Sequence, residues 1–323
     1  MEPRVAPART RGIAAAATAL ALLLGMTACS TGADAAKTDK DPQGETVTVE
    51  QAQGEPVEVP VNPEKVFTFD LGVLDSLDAL DVEVAGVPEA VYPEEVKEAA
   101  EAASVKIGSM KEPDFEKINA EQPDLIIISG RAADSYDELS KIAPTVNLAL
   151  DNKDLYGSFK KQTETLGKIF DKEAEVADEL KEIDEKIADG KEELKDAGSA
   201  LVVMTSAGEL TAYGTGSRFD FPFSLLGLKE AAPVKAEGPH GQSISFEFLA
   251  EHNPDTLLVV DRDSATGESG ANAKATLDND LVKNTNAAKN DKIVYLDSGQ
   301  WYLVGLGLDS LPEMIDQVVE GAK

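Results

Sequence analysis

Beyond residue 28 the chain carries 24 lysines but only three arginines, Arg131, Arg218 and Arg262. Lysine supplies the general surface cation, so arginine is kept for another role. A guanidinium is planar, permanently charged and rich in N–H donors, which suits carboxylate or catecholate oxygens. An internal ion pair is the competing explanation, and Asp220 and Asp261 lie near enough in sequence to serve. The chain has two histidines, one cysteine and one tryptophan. His240 lies in the glycine-flanked loop "GPHGQSIS", and His252 falls at a surface helix end. Trp301 and Tyr302 stand side by side in "GQWYLVGLG", after the apolar run "KIVYLD". For Trp301, packing against the last helix is the alternative role. So few histidines and cysteines argue against a dedicated Zn²⁺ or Mn²⁺ site. G-x-S-x-G, H-E-x-x-H and P-loop patterns are absent, so hydrolase and nucleotide chemistry find no support.

These residues need a scaffold, and the sequence shows one used twice. "FEKINAEQPDLIIISGR" at 115–131 recurs without a gap as "FEFLAEHNPDTLLVVDR" at 246–262. Each copy reads as a helix, a turn stopped by proline, and an apolar strand buried on both faces. Each ends in an arginine, Arg131 or Arg262, just past the strand's carboxyl end. Ligands of open α/β sheets collect there. Arg218 follows the second copy's leading strand "SALVVMT" in the Gly-rich loop "YGTGSRFDF".

Around each copy, strands and helices alternate, which indicates parallel α/β sheets. Strands are expected at 64–69, 82–88, "DLIIIS", "TVNLAL", 199–205 and 292–297. Helices are expected at 71–82, 92–103, 114–121, 135–144, 276–290 and 304–322, with a loop and helix over 218–228 and a polar loop at "DSATGESGANAKA". Between the two halves, residues 153–196 lack proline and place apolar residues at three- and four-residue steps. This predicts a long amphipathic helix acting as a spacer, with Gly167 and Gly190 as points of interruption. The fold class is therefore two Rossmann-like α/β lobes joined by a single long helix. The expected divisions are 1–28, 29–46, 47–152 for the first lobe, 153–197 for the connecting helix and 198–323 for the second lobe.

The N-terminal residues read as an export signal. Arg4, Arg9 and Arg11 precede the apolar run "GIAAAATALALLLG", and small residues lead to Cys29 in "MTACS". Small residues before a lone cysteine resemble a bacterial lipobox, with Cys29 lipidated and residues 29–46 a flexible tether. The net charge is −30, and cleavage before Cys29 would leave the remainder more acidic still. Such a surface disfavours nucleic acid and anionic membrane, and an anionic ligand would need locally placed positive charge.

The chain as a whole resembles the substrate-binding lipoproteins of ABC importers for iron–siderophore complexes. "EKVFTFDLGVLDSLDALDV", "EPDFEKINAEQPDLIIISGR", "YGTGSRFDF", "GPHGQSISFEFLAEHNPD" and "WYLVGLG" place it nearest the catecholate and petrobactin-type subgroup. The resemblance implies a class III substrate-binding protein with a helical backbone, no enzymatic activity and no intrinsic cofactor. Its ligand would be an Fe(III)-siderophore held between the lobes by Arg131, Arg218 and Arg262. His240 and Tyr302 match residues that complete the iron shell when a tetradentate siderophore leaves positions open. Tyr213, Gln242 and Trp301 lie in the same motifs and join the candidate ligand contacts. Glu116 and Glu247 match the acidic residues that dock each lobe on a permease dimer, although charge complementarity at a helix N-terminus explains them too. The resemblance further implies a monomer anchored to the outer face of the cell membrane through Cys29. Haem or cobalamin binding is the alternative within the superfamily, and a surface-anchored enzyme the alternative outside it. Cobalamin bears too little negative charge to need three arginines.

Overall fold

In the computed structural model of the protein, residues 44–235 and 240–323 are described. Cys29, the export signal and nearly all of the tether lie outside them. The apolar runs become strands buried on both faces, as their lack of alternation requires. In the first lobe, β1 (Thr46–Val49) and β2 (Val57–Pro60) pair as an antiparallel ribbon. The strands β3 (Val66–Thr68), β4 (Gly86–Glu89), β5 (Val105–Ser109), β6 (Leu125–Ile128) and β7 (Thr145–Asn147) form a wholly parallel sheet. Its order is β5-β4-β3-β6-β7. The chain therefore reverses direction of winding between β3 and β6, and a crevice opens outside their carboxyl ends. Helices α1 (Leu71–Ala79), α2 (Glu94–Ala102), α3 (Phe115–Glu121) and the short α4 (Tyr136–Leu139) connect these strands.

The connecting segment differs from expectation. It is two helices, α5 (Leu155–Phe170) and α6 (Glu173–Glu193), separated at Asp171, whose φ of 57° is left-handed. Neither glycine causes the break. The helices fold back on one another: Tyr156 Oη and Lys160 Nζ both bond Asp184, at 2.9 and 2.7 Å. Gly167 permits this packing, because a Cβ there would lie 3.2 Å from Val176 Cγ2 and 3.3 Å from the Glu173 backbone. The apolar periodicity fits an antiparallel pair as well as one rod, and only the turn distinguishes them.

The second lobe contains β8 (Ser199–Ser206), β9 (Glu209–Tyr213), β10 (Lys229–Glu230), β11 (Gln242–Ile244), β12 (Thr256–Asp261) and β13 (Ile293–Tyr295). Strands β8, β12 and β13 are parallel, while β9 and β11 add an antiparallel edge in the order β11-β9-β8-β12-β13. Its helices are mostly single turns: α7 (Phe221–Ser224), α8 (Phe246–His252), α9 (Arg262–Thr266), α10 (Ala273–Thr276), α11 (Asp280–Lys283) and α12 (Asn286–Lys289). The expected polar loop thus contains α9 and α10, and the helix expected over 276–290 is two turns broken by the caps Asn279 and Thr285. The long α13 (Ser310–Ala322) closes the chain.

Both sheets belong to one compact unit, residues 43–323. The segment after β13 joins them. Leu303 and Val304 pack with Leu71, Leu74 and Ile127 of the first lobe. Leu306 and Leu308 pack with Phe219, Phe221 and Val260 of the second. Asp75 of α1 accepts from the N–H groups of Asp309 and Ser310 and from the Ser310 hydroxyl, at 3.1, 3.3 and 2.6 Å. A first-lobe carboxyl thereby caps the second lobe's last helix.

Candidate ligand-binding site

The internal repeat survives in three dimensions to the residue. α3 begins and ends 131 positions before α8, and Leu125, the start of β6, precedes Thr256, the start of β12, by the same step. Asp114 and Ser245 cap the helices by accepting from the N–H three residues on, and Gln122 and Asn253 end them in the left-handed region. The aspartate of the repeated Pro-Asp bonds alike in both lobes. Asp124 accepts from Lys65 N at 2.8 Å, and Asp255 from Ser199 N at 2.9 Å. Each aspartate ties the start of its lobe's central strand to the repeat. Both strands consequently deliver an arginine at their carboxyl ends.

All three arginines meet at Tyr302. The guanidinium carbons of Arg131, Arg218 and Arg262 lie 6.0, 5.0 and 5.8 Å from its ring centroid. Tyr302 sits in a π-helical turn, Gln300–Val304, closed by Gly305 N–H donating to Gln300 O at 2.8 Å. Such turns leave carbonyls without regular partners and often occur at functional sites. Here arginines take them up. Arg131 reaches from the first lobe to donate to Tyr302 O at 2.6 Å and Leu303 O at 3.1 Å. Arg218 donates to the same Tyr302 O at 2.8 Å. Arg262 Nε donates to the Tyr302 hydroxyl at 3.1 Å. Gln317 of α13 fixes the turn from behind, bonding Asp297 N, Trp301 Nε1 and Gln300.

The charges are unevenly compensated. Burial, together with the nearby Arg131, lowers the Arg218 pKa to about 10. Its ring neighbour Phe219 lies 4.9 Å away, and its paired oxygen is a neutral carbonyl. Arg262 is more exposed, and bonds to Tyr302 and Glu268 raise its pKa. Its ion-pair partners are Glu268 at 3.0 Å and Asp263 at 3.6 Å. The sequence neighbours Asp220 and Asp261 instead accept backbone N–H groups, from Gly216 at 3.0 Å and Ala273 at 2.7 Å. Asp70, capping α1 after β3, bonds the Ser129 hydroxyl and acts electrostatically on Arg218. Sequence reasoning missed Asp70 and Glu268. Asp70's position directly after a buried strand was the available signal, while Glu268 lies in a polar loop with none.

The remaining candidates scatter. Trp301 is wholly buried, 4.9 Å from Phe221 and 5.9 Å from Phe219 between ring centroids, so it is a core residue rather than a contact surface. Tyr213 is buried beneath the cluster, edge-on to Phe219 at 4.7 Å; burial pushes its phenol up and Arg218 opposes this. Gln242 accepts from Lys235 N at 2.9 Å on the edge strand β11. His240 is exposed, and among the described residues no hydrogen bond or ring contact joins it to the arginines. His252 lies against Phe248, 4.2 Å between centroids. Glu116 and Glu247 are exposed in the first turns of α3 and α8. No group of three or more His, Cys, Asp or Glu that could hold a bare metal ion occurs among the described residues. Two cavities, about 290 and 390 Å³, lie around Ser264 and Ser298, and neither is lined by the arginines.

Two α/β lobes, one with a parallel and one with a mixed sheet, and a charged cluster between them have the architecture of a two-lobed solute-binding protein. The chain belongs to the periplasmic binding protein family, whose model matches residues 66–299. It is 42% identical to the petrobactin-binding protein YclQ of Bacillus subtilis, over 94% of this chain and 96% of that one. The crystal structure of YclQ superimposes with a TM-score of 0.83 at 44% identity, covering 86% of this chain and 99% of its own. The ferric-anguibactin-binding protein FatB of Vibrio anguillarum is 32% identical over 85% and 87% of the two chains. The catecholate-siderophore binding protein VctP of Vibrio cholerae gives a TM-score of 0.80 at 38% identity, covering 85% and 99%. The proteins of this family that the chain resembles are binding proteins, not enzymes.

Proposed function

We propose that the protein captures an anionic ferric siderophore of catecholate type at the arginine–tyrosine cluster and delivers it to an ABC permease. The convergence of Arg131, Arg218 and Arg262 on Tyr302 carries this reading. A ferric tris-catecholate bears about three negative charges, and three guanidiniums in a partly desolvated cleft offset them. The named ligands of YclQ and VctP support the same class. Where a tetradentate siderophore leaves iron positions open, Tyr302 and His240 are the protein groups offered to fill them. Glu116 and Glu247, exposed at matching places on the two lobes, are the docking contacts for the permease. Cys29 is the lipid anchor that keeps a monomeric carrier at the outer face of the membrane.

Quenching of Trp301 fluorescence tests the ligand class, because the indole packs on Phe219, whose ring lies 4.9 Å from the Arg218 guanidinium. A ferric catecholate should quench saturably, and its iron-free form, haem and cobalamin should not. Tighter binding of haem or cobalamin would overturn the reading. For a tetradentate ferric chelate, His240→Ala and Tyr302→Phe should abolish any protein-induced shift of the charge-transfer band. An unchanged band in the double variant would leave the arginines as the whole binding mechanism.

A further inference from the structure

Arg131 and Arg218 are held by neutral backbone carbonyls, whereas Arg262 is held by a carboxylate. Its NH2 donates to Glu268 Oε1 at 3.0 Å and its NH1 to Oε2 at 3.3 Å. NH1 also donates to Ser206 Oγ at 3.1 Å, and Nε to Tyr302. A guanidinium's donors are few and fixed in direction, and here nearly all are engaged. An incoming anion can bond this side chain fully only by displacing something. The Ser206 and Tyr302 bonds are single and neutral, and Asp263 stands 3.6 Å off while accepting from Ser206 Oγ and Ala207 N, whereas Glu268 covers both terminal nitrogens with the charge that an anionic ligand must replace.

The position of Glu268 suits displacement. Its side chain is 53% exposed, so an anion can reach the pair from solvent. It follows Gly267, which ends α9 in the left-handed region at φ 70°. That conformation favours glycine and turns the chain sharply toward the first lobe. A Cβ on Gly267 would lie 3.5 Å from Val91 Cγ2, so the loop bearing Glu268 lies where the lobes meet. Beyond Glu268, residues 269–271 are exposed and free of regular helix or strand.

We propose that Glu268 is a resident competitor anion: it occupies Arg262 in the unliganded protein, must be displaced by the ligand, and holds affinity below what the three arginines alone would give. This rests on the reading of the cluster as an anion site. Even when displaced, its charge stays near the ligand and opposes it, within the roughly 10 Å reach of charges at moderate salt.

The test titrates the trianionic ferric complex of a synthetic tris-catecholamide into the parent protein, Glu268→Gln, Arg262→Gln and the double variant, at low and high salt. Glu268→Gln should bind about three- to tenfold tighter at low salt, a size fitting an exposed pair plus residual repulsion. The gain should shrink at high salt, and should fall to the residual repulsion alone when Arg262 is already glutamine. Unchanged or weaker binding by Glu268→Gln, with Arg262→Gln weakened as expected, would refute the competitor role and leave the anion site standing. Failure of every protein to bind the chelate would overturn both. Because Glu268 is exposed on a loop, a loss of folding would not explain either result.

Discussion

The two copies of the internal repeat share a backbone but not an electrostatic setting. Caps, left-handed helix ends and strand starts correspond at a constant step. The terminal arginines then diverge. Arg131 crosses to the other lobe and bonds carbonyls of the π-helical turn. Arg262 stays in its own lobe among Ser206, Tyr302 and Glu268. The repeated scaffold therefore fixes where the cations stand, and the unlike loops fix how available each one is. The supporting aspartates diverge too. Asp124 accepts one backbone bond, whereas Asp255 accepts from Ser199 N, Ser199 Oγ and Asn286 Nδ2.

The symmetric exposure of Glu116 and Glu247 gives the largest expected effect. Glu116→Lys combined with Glu247→Lys should leave chelate affinity intact and abolish delivery, read as iron uptake by cells carrying the variant. Normal uptake would end the docking role.

Next come the arginines, where the copies should part. Arg131→Ala and Arg218→Ala should each weaken binding of a ferric catecholate by about 1.5–3 kcal/mol, as for lost charge-assisted bonds. Arg262→Ala should cost roughly 1 kcal/mol less, since Glu268 already neutralises part of that charge. Equal losses in calorimetric titrations would erase the proposed asymmetry.

Folding stability should also separate the copies. Asp255→Ala removes several bonds to a charged acceptor and should cost about 2–3 kcal/mol in denaturant unfolding, against about 1 kcal/mol for Asp124→Ala. Bonds from Ser199 and Asn286 lower the Asp255 pKa. Its contribution is therefore present above the usual carboxylate range and fades as pH falls through the lowered value.

The smallest effect is a pH slope at the lobe junction. Burial pushes Asp75 up to about 7, against the opposing bonds from Ser310, and the Asp309 charge adds to the rise. The folded state thus binds this proton more tightly than the unfolded chain. Stability from the group is full below the ordinary value of 3.8 and is lost as pH rises through about 7. Asp75→Asn can accept from the same N–H groups and donate to Ser310, so its thermal midpoint should exceed the parent's at pH 8 and match it near pH 4. Parallel profiles for parent and variant would remove Asp75 as the source of the slope.

What could be read from the sequence follows from what is locally encoded. Pro123 and Pro254, the repeated apolar runs and the scarcity of arginine were sufficient for the α/β class, the duplication and three of the cluster's residues. The hub, Tyr302, was named only through its neighbouring motif, because π-helical geometry has no periodic signature. Trp301 took the second of its two expected roles: the helical turn aims its ring at Phe219 and Phe221 and its Nε1 at Gln317 of α13, while the neighbouring Tyr302 joins the cluster. Glu268 was invisible because an ion pair across a polar loop depends on a turn at Gly267, not on spacing. The break at Asp171 escaped because helix pairs and single helices share one apolar period.

The central claim is that the arginine cluster binds an anionic ferric chelate by charge. Its most direct test measures affinity for a trianionic ferric tris-catecholate and a neutral ferric trihydroxamate, in the parent and in Arg131→Ala/Arg218→Ala/Arg262→Ala. Capture by charge requires saturable binding of the trianion that weakens with salt, little binding of the neutral complex, and a loss of at least about a hundredfold for the trianion in the triple variant. Equal affinity for both complexes, or a triple variant that binds as the parent does, would contradict it.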